Sequence, residues 1–260
     1  MFKISLPITI STIELTKRAL TKALPEVKSS HRCEAMARGF GYRTHASLLV
    51  DTRSNDERTA TVDCSPFCDY MDQHNFKVSG SVLCHAVAKV ALCGVAKRYP
   101  RLTASGFGIG DWDPEKTPAE RRRDFAKDRA ELVSDYAVKP FLASLAFVSR
   151  VERTKTIRPA TNSYWLKHIA ENYECTYPNG EKLGPIYVPN GVLIAAAIHA
   201  GFNAQPHKDE YGGELLNAGF NMSKASLYDL DCEIRHEGAR AEARRTKARQ
   251  RAAGRMPIIF

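Results

Sequence analysis

Three groups of side chains in this sequence have types and spacings that chemistry uses. The first is a basic run with interleaved aromatics: Arg150, Arg153, Lys155 and Arg158, then Tyr164, Trp165, Lys167 and His168. Cations in such a run hold phosphates while an aromatic ring stacks on an unpaired base. If residues 163–173 are helical, Tyr164 and His168 lie on one face, four residues apart, with Lys167 beside His168. The same residues allow a purely structural reading, in which Trp165 and Leu166 pack inward and Lys167 is solvated. The second group lies between Glu233 and Arg255. Eight cations (Arg235, Arg240, Arg244, Arg245, Lys247, Arg249, Arg251 and Arg255) stand there against three acidic residues. The alanines among them favour helix, but no apolar stripe continues beyond Ile234. Such a segment is either a solvated helix or an arm that orders on phosphates, releasing counterions and making affinity salt-dependent. The third group is Cys64-x3-Cys68 with Cys84-His85. Zinc sites more often use tight CxxC pairs at both ends, and an adjacent Cys-His pair on a helix converges poorly on one ion. The expectation is therefore free thiols and no cofactor, with zinc at Cys64, Cys68, Cys84 and His85 as the alternative.

Other catalytic signatures are thin. Gly106-x-Gly108-x-Gly110 follows no clear strand and leads into Trp112-Asp113-Pro114, so it lacks the context of a dinucleotide-binding turn. The sequence holds no GxxxxGK[ST], GxSxG or HExxH. His207 stands near Asp209 and Glu210 in a glycine-rich loop, but no partners for an acid–base or metal site can be assigned.

The chain as a whole sets the context for these groups. Its 260 residues (28.9 kDa) are 43% hydrophobic and 26% charged, the composition of a globular chain with one large domain or two small ones. Thirty-eight basic residues against 29 acidic ones give a net charge of +9 and a pI of about 9.2, which favours a polyanionic partner. The seven cysteines are odd in number and follow no recognisable signal peptide, which points to reduced thiols and a cytoplasmic location. The apolar run Gly191–Ala200 is about half the ~20 residues of a membrane span and is read as a buried helix, so no membrane is expected among the partners.

The elements that position these groups follow from caps and periodicity. Residues 3–10 suit a short edge strand or an extended arm. Ser11 and Glu14 have the spacing of a capping box for a helix reaching Leu24. Further short helices are predicted over 30–39 and over 45–51, the latter capped by Thr44. A strand is expected at 58–64 and a helix at Ser81–Arg98, with its apolar stripe at helical spacing. Thr117-Pro118-Ala119-Glu120 combines a threonine cap, proline at the first helical position and glutamate at the third. Pro140 is expected to kink or divide the helix that follows. Helices over 163–173 and 191–200 are joined by too long a connection for a helix-turn-helix, and a last helix starts near Ser223 and runs into the basic tail. The fold class is thus mainly α with a minor β component. It comprises an N-terminal three-helix module (1–52), a helical body (58–222) and a basic C-terminal helix or tail (223–260). The three-helix module suits DNA contact or docking.

The stretch from Val27 to Leu49, with Ser30-His31 before a helix that ends in Gly39-Phe40-Gly41-Tyr42, resembles a short helical module at the start of many bacterial proteins. It is similar to the small segment known as glyoxalase-related. The segments 154–157, 163–171, 187–197 and 220–223 resemble a pattern in uncharacterised proteins of bacterial plasmids and other mobile elements. The resemblance implies plasmid maintenance, transfer, regulation or evasion of host defence, and it supplies no catalytic residue. The expected function is a non-enzymatic nucleic-acid-binding accessory or regulatory protein of a mobile element, with DNA or RNA as partner. Its site would be Arg150, Arg153, Lys155, Arg158, Tyr164, Lys167 and His168 with Arg240, Arg244, Arg245, Lys247, Arg249 and Arg251. The alternative is a protein-binding inhibitor or adaptor of a host-defence or nucleoprotein complex, and the third reading is a metal-dependent enzyme.

Overall fold

The helix Gly80–Arg98 organises the molecule. Ser79 caps it by accepting the Ser81 N–H at 3.1 Å, and Lys97 and Arg98 close its last turn, where cations complement the dipole. Leu83, Val87 and Leu92 are fully buried. In the computed structural model, which describes residues 3–53, 58–108 and 115–235 with 237, 245 and 249, this helix is the fifth of ten. Among the described residues it has the length and apolarity to cross a membrane, but 61% of its apolar window is buried inside the fold. That places it as a core helix.

Before it come α1 (Ile10–Ala23), α2 (Ser29–Gly39), α3 (His45–Asp51) and α4 (Cys64–Gln73), with α5 the central helix itself. α1 packs on α5 and α2 packs on α4. β1 (Ile4–Pro7) and β2 (Thr59–Val62) form a two-stranded antiparallel sheet, Ile4 opposite Val62. α6 (Pro118–Leu132) begins with the expected capping box on Thr117 and Glu120. A 3-10 turn (Asp135–Ala137) leads into α7 (Val138–Val148), which packs with α9 (Asn190–His199) and with α5. β3 (Arg153–Asn162), β5 (Glu214–Met222) and β4 (Ala204–Lys208) make an antiparallel sheet in the order β3-β5-β4. α8 (Ser163–Ala170) lies against β5 and α9, and α10 (Lys224–Ile234) closes the fold against α8. The buried apolar side chains form one cluster from Ile4 to Leu230.

The architecture is mainly helical, 54% helix and 16% strand, with two small sheets. Several local expectations change. Thr9, not Ser11, caps α1: its hydroxyl accepts the Thr12 N–H at 3.1 Å, and Glu14 pairs instead with Lys17 at 2.8 Å. Pro140 breaks nothing, because it sits in the first turn of α7, where its missing N–H is one of the unpaired donors anyway. The chain turns before it, at Ser134–Ala137. The part of the chain expected to be a helical body also contains α4 and the whole β3-β5-β4 sheet. Gly191 shows how tightly the layers meet: a Cβ there would stand 1.8 Å from the Thr103 carbonyl oxygen. Gly106 belongs to no nucleotide turn. With φ at +136° it lets the loop lie against β5, where the Phe107 N–H donates to the Leu216 carbonyl at 3.0 Å.

Candidate nucleic-acid interface

β3 runs along an outer edge of its sheet and passes directly into α8, so the basic and aromatic residues of 150–168 occupy one continuous ribbon of chain. Asn162 makes the junction, its side-chain oxygen accepting the Tyr164 N–H at 2.8 Å. Thr161 ties the junction to β5: its hydroxyl donates to the Phe220 carbonyl at 2.8 Å and accepts the Phe220 N–H at 3.0 Å. The sheet is irregular here, with register shifts between Arg153, Arg158 and Asn162.

The structure divides the residues of this ribbon into two sets. In the first, the charge is used within the fold. Arg150 makes two parallel hydrogen bonds to Glu233, at 2.7 and 2.8 Å, and lies 5.6 Å from the Tyr173 ring centre. Each partner shifts the other: Glu233 is held below the usual carboxylate range and Arg150 is raised further. Arg153 donates to the Ala200 carbonyl at the end of α9 and stacks over Phe202, with 5.1 Å to the ring centre. Lys167 is buried. Its ammonium pairs with Glu171 at 2.7 Å, donates to the Val188 carbonyl at 3.3 Å, and sits 4.8 Å from the Tyr187 ring centre and 5.8 Å from that of Tyr164. His168 also binds Glu171, at 2.9 Å, and meets Tyr164 edge to face. Arg150, Arg153 and Lys167 each already have an oxygen partner within the fold, which a phosphate would have to share or displace.

The second set faces outward. Lys155 and Arg158 are exposed on β3, and among the described residues no carboxylate pairs with either. Tyr164 and Tyr187 are 53% and 69% exposed, enough to offer a ring face to a ligand. Tyr187 was not legible as part of a site, since it lies in the proline-bounded loop before α9 and has no helical spacing to Tyr164. Only its shared contact with Lys167 brings it in. Of the tail, Arg245 and Arg249 are helical and exposed, while Arg240, Arg244, Lys247 and Arg251 lie outside the described residues. Arg235, counted with the tail by charge, is instead buried in a bidentate pair with Asp231, which also accepts the Trp165 indole N–H at 3.2 Å.

The thiol group comes together only in part. Cys64 and Cys84 touch, sulfur to sulfur, at 2.8 Å, and Cys68 lies nearby. His85 has a different partner, its Nε2 lying 2.5 Å from the Tyr177 hydroxyl. Burial pushes its pKa down, aided by Lys139. Among the described residues no group of three or more histidine, cysteine or carboxylate side chains converges as a metal site. His207 lies on β4, and Asp209 is occupied in the following turn, accepting the Tyr211 and Gly213 N–H groups at 2.9 and 2.7 Å.

No protein-family model, curated protein or solved structure matches this chain.

Proposed function

We propose that this protein is a non-enzymatic nucleic-acid-binding accessory or regulatory protein, working in the cytoplasm in the setting of a mobile genetic element. The observation that carries the reading is the outward half of the ribbon. Lys155 and Arg158 stand unpaired among the described residues on an edge strand that runs straight into the exposed ring of Tyr164. A polymer lying along β3 would place phosphates on the two cations and an unpaired base on Tyr164 or Tyr187, the arrangement that single-stranded nucleic acids favour. The net charge of +9, and Arg245 and Arg249 on the tail, add attraction at longer range. The mobile-element setting rests on the sequence resemblance.

The test uses full-length protein and fluorescently labelled single-stranded DNA, RNA and duplex across a salt series. Replacing Lys155 and Arg158 together by alanine lowers the slope of log K against log salt by about 0.7 per lost phosphate contact on a single strand. Cations on a strand edge also discourage pairing with another chain. If that were their whole role, the slope would not change.

A second reading, docking to a protein or nucleoprotein complex, is favoured by one feature. α1, α5 and the turn before α7 enclose a largely apolar groove of about 830 Å³, lined by Leu15, Ala19, Val82, Val90 and Val138. Lys22 and Lys89 at its rim both pair with Asp135, at 2.6 and 2.8 Å.

A further inference from the structure

We infer that Cys64 and Cys84 form a site of oxidative modification, closing to an intramolecular disulfide when a peroxide takes two electrons from the pair. The two residues come from different helices. Cys64 is the first residue of α4, directly after the capping Asp63, and Cys84 lies in the second turn of α5. Their sulfurs are 2.8 Å apart, so a bond of about 2.05 Å needs a relative movement of less than about 1 Å. Both side chains are buried, at 6% and 3% exposure, which shields the pair from competing thiols. The helices are close where they carry these residues: a Cβ on Gly80 would lie 3.1 Å from Cys64 Cβ and 3.4 Å from Cys68 Sγ.

The chemistry balances with hydrogen peroxide as oxidant. One thiolate attacks a peroxide oxygen and becomes a sulfenic acid as the O–O bond breaks, and the hydroxide that leaves is protonated to water. The second thiol attacks the sulfenic sulfur, the S–S bond forms and a second water departs. Two thiols and one peroxide give one disulfide and two waters. The contact with Cys84 and burial both raise the Cys64 thiol above the ordinary range, and burial likewise holds Cys68 at about 11. Little thiolate is therefore present near neutrality, so oxidation is slow and accelerates as pH rises. The bond would fasten the start of α4, and with it the β1–β2 sheet and the packed α2, onto the central helix. It would close a loop spanning twenty positions, for which a rise in Tm of about 6–12 °C is expected.

The experiment treats folded, full-length protein with hydrogen peroxide, quenches it, denatures it in iodoacetamide and maps the peptides by mass spectrometry without reduction. The expected product is a Cys64–Cys84 cross-linked peptide, lighter than the two thiol peptides by two hydrogens, with the Tm raised. Cys68→Ser retains the cross-link and Cys84→Ser abolishes it. Recovery of Cys64 and Cys84 as separate alkylated or sulfinic peptides from the wild-type protein would overturn the inference. So would a dominant Cys64–Cys68 link.

Discussion

Replacing Lys167 by methionine separates the two roles that a lysine in a basic patch can have. The ammonium is held by Glu171 at 2.7 Å, with side-chain exposures of 8% and 16%, and by the Val188 carbonyl at 3.3 Å. Breaking a fully buried pair by removing one partner costs roughly 3–5 kcal/mol, because the remaining charge is stranded. Glu171 keeps His168 at 2.9 Å and the Val188 N–H at 3.4 Å, so a cost below that range, about 2–3 kcal/mol, is the expectation here. In a chain of this size each kcal/mol moves Tm by about 2–4 °C, which gives a fall of about 4–12 °C in a thermal scan. The salt slope of any nucleic-acid binding, measured below the new Tm, should match the parent within error, since the Lys167 ammonium is already held by Glu171 and the Val188 carbonyl. A variant that melted with the parent but lost one phosphate's worth of slope would refute the assignment of Lys167 to the fold.

Other expectations follow from the same kind of reasoning. His199 is held near 4, first by burial and then by Arg98, against an ordinary value of 6.5. Its folded form therefore binds the proton less readily than the unfolded chain does. That stabilising contribution is complete above about pH 6.5 and is lost as pH falls towards 4, by roughly 3 kcal/mol in all. Denaturant titrations of His199→Leu against wild type should show a shallower acid dependence across that window. Gly191→Ala should yield little soluble protein, because its methyl would stand 1.8 Å from a backbone oxygen that cannot withdraw. Near-normal yield and Tm would show that the α9 packing is looser than described. Tyr164→Ala with Tyr187→Ala should weaken single-strand binding by about 1–3 kcal/mol for each base that loses its ring, without changing the salt slope. A changed slope would mean that the rings act through the neighbouring cations.

The helices were legible where caps and periodicity agree, as at Thr44 before α3 and Thr117-Pro118-Ala119-Glu120 before α6. The two strands of the small sheet were legible from alternation in 58–64 and the β-branched residues near the start of the chain, but their pairing was not. The larger sheet was not. β3 carries Arg153, Lys155 and Arg158 with no clean alternation, because it is an edge strand with two register shifts, and its partner β5 lies more than fifty residues further on. α4 was hidden for another reason: Pro66 weighs against a helix there, yet it lies in the first helical turn, where it is tolerated. For the candidate site, charge and aromatic content pointed to the stretch 150–168. They did not reveal that Arg150 and Arg153 are used internally, since Glu233 and the Ala200 carbonyl come from elements distant in sequence, whereas Glu171 stands at the i+4 position from Lys167, at the end of its own helix. The exposed subset of Lys155, Arg158, Tyr164 and Tyr187 emerges only from the packing.

The most direct measurement is the affinity of the full-length protein for single-stranded DNA, RNA and duplex over a range of salt concentrations. The account predicts binding that weakens log-linearly with salt, with a single strand preferred over duplex at equal salt. Absence of binding to all three at low salt would contradict the nucleic-acid reading.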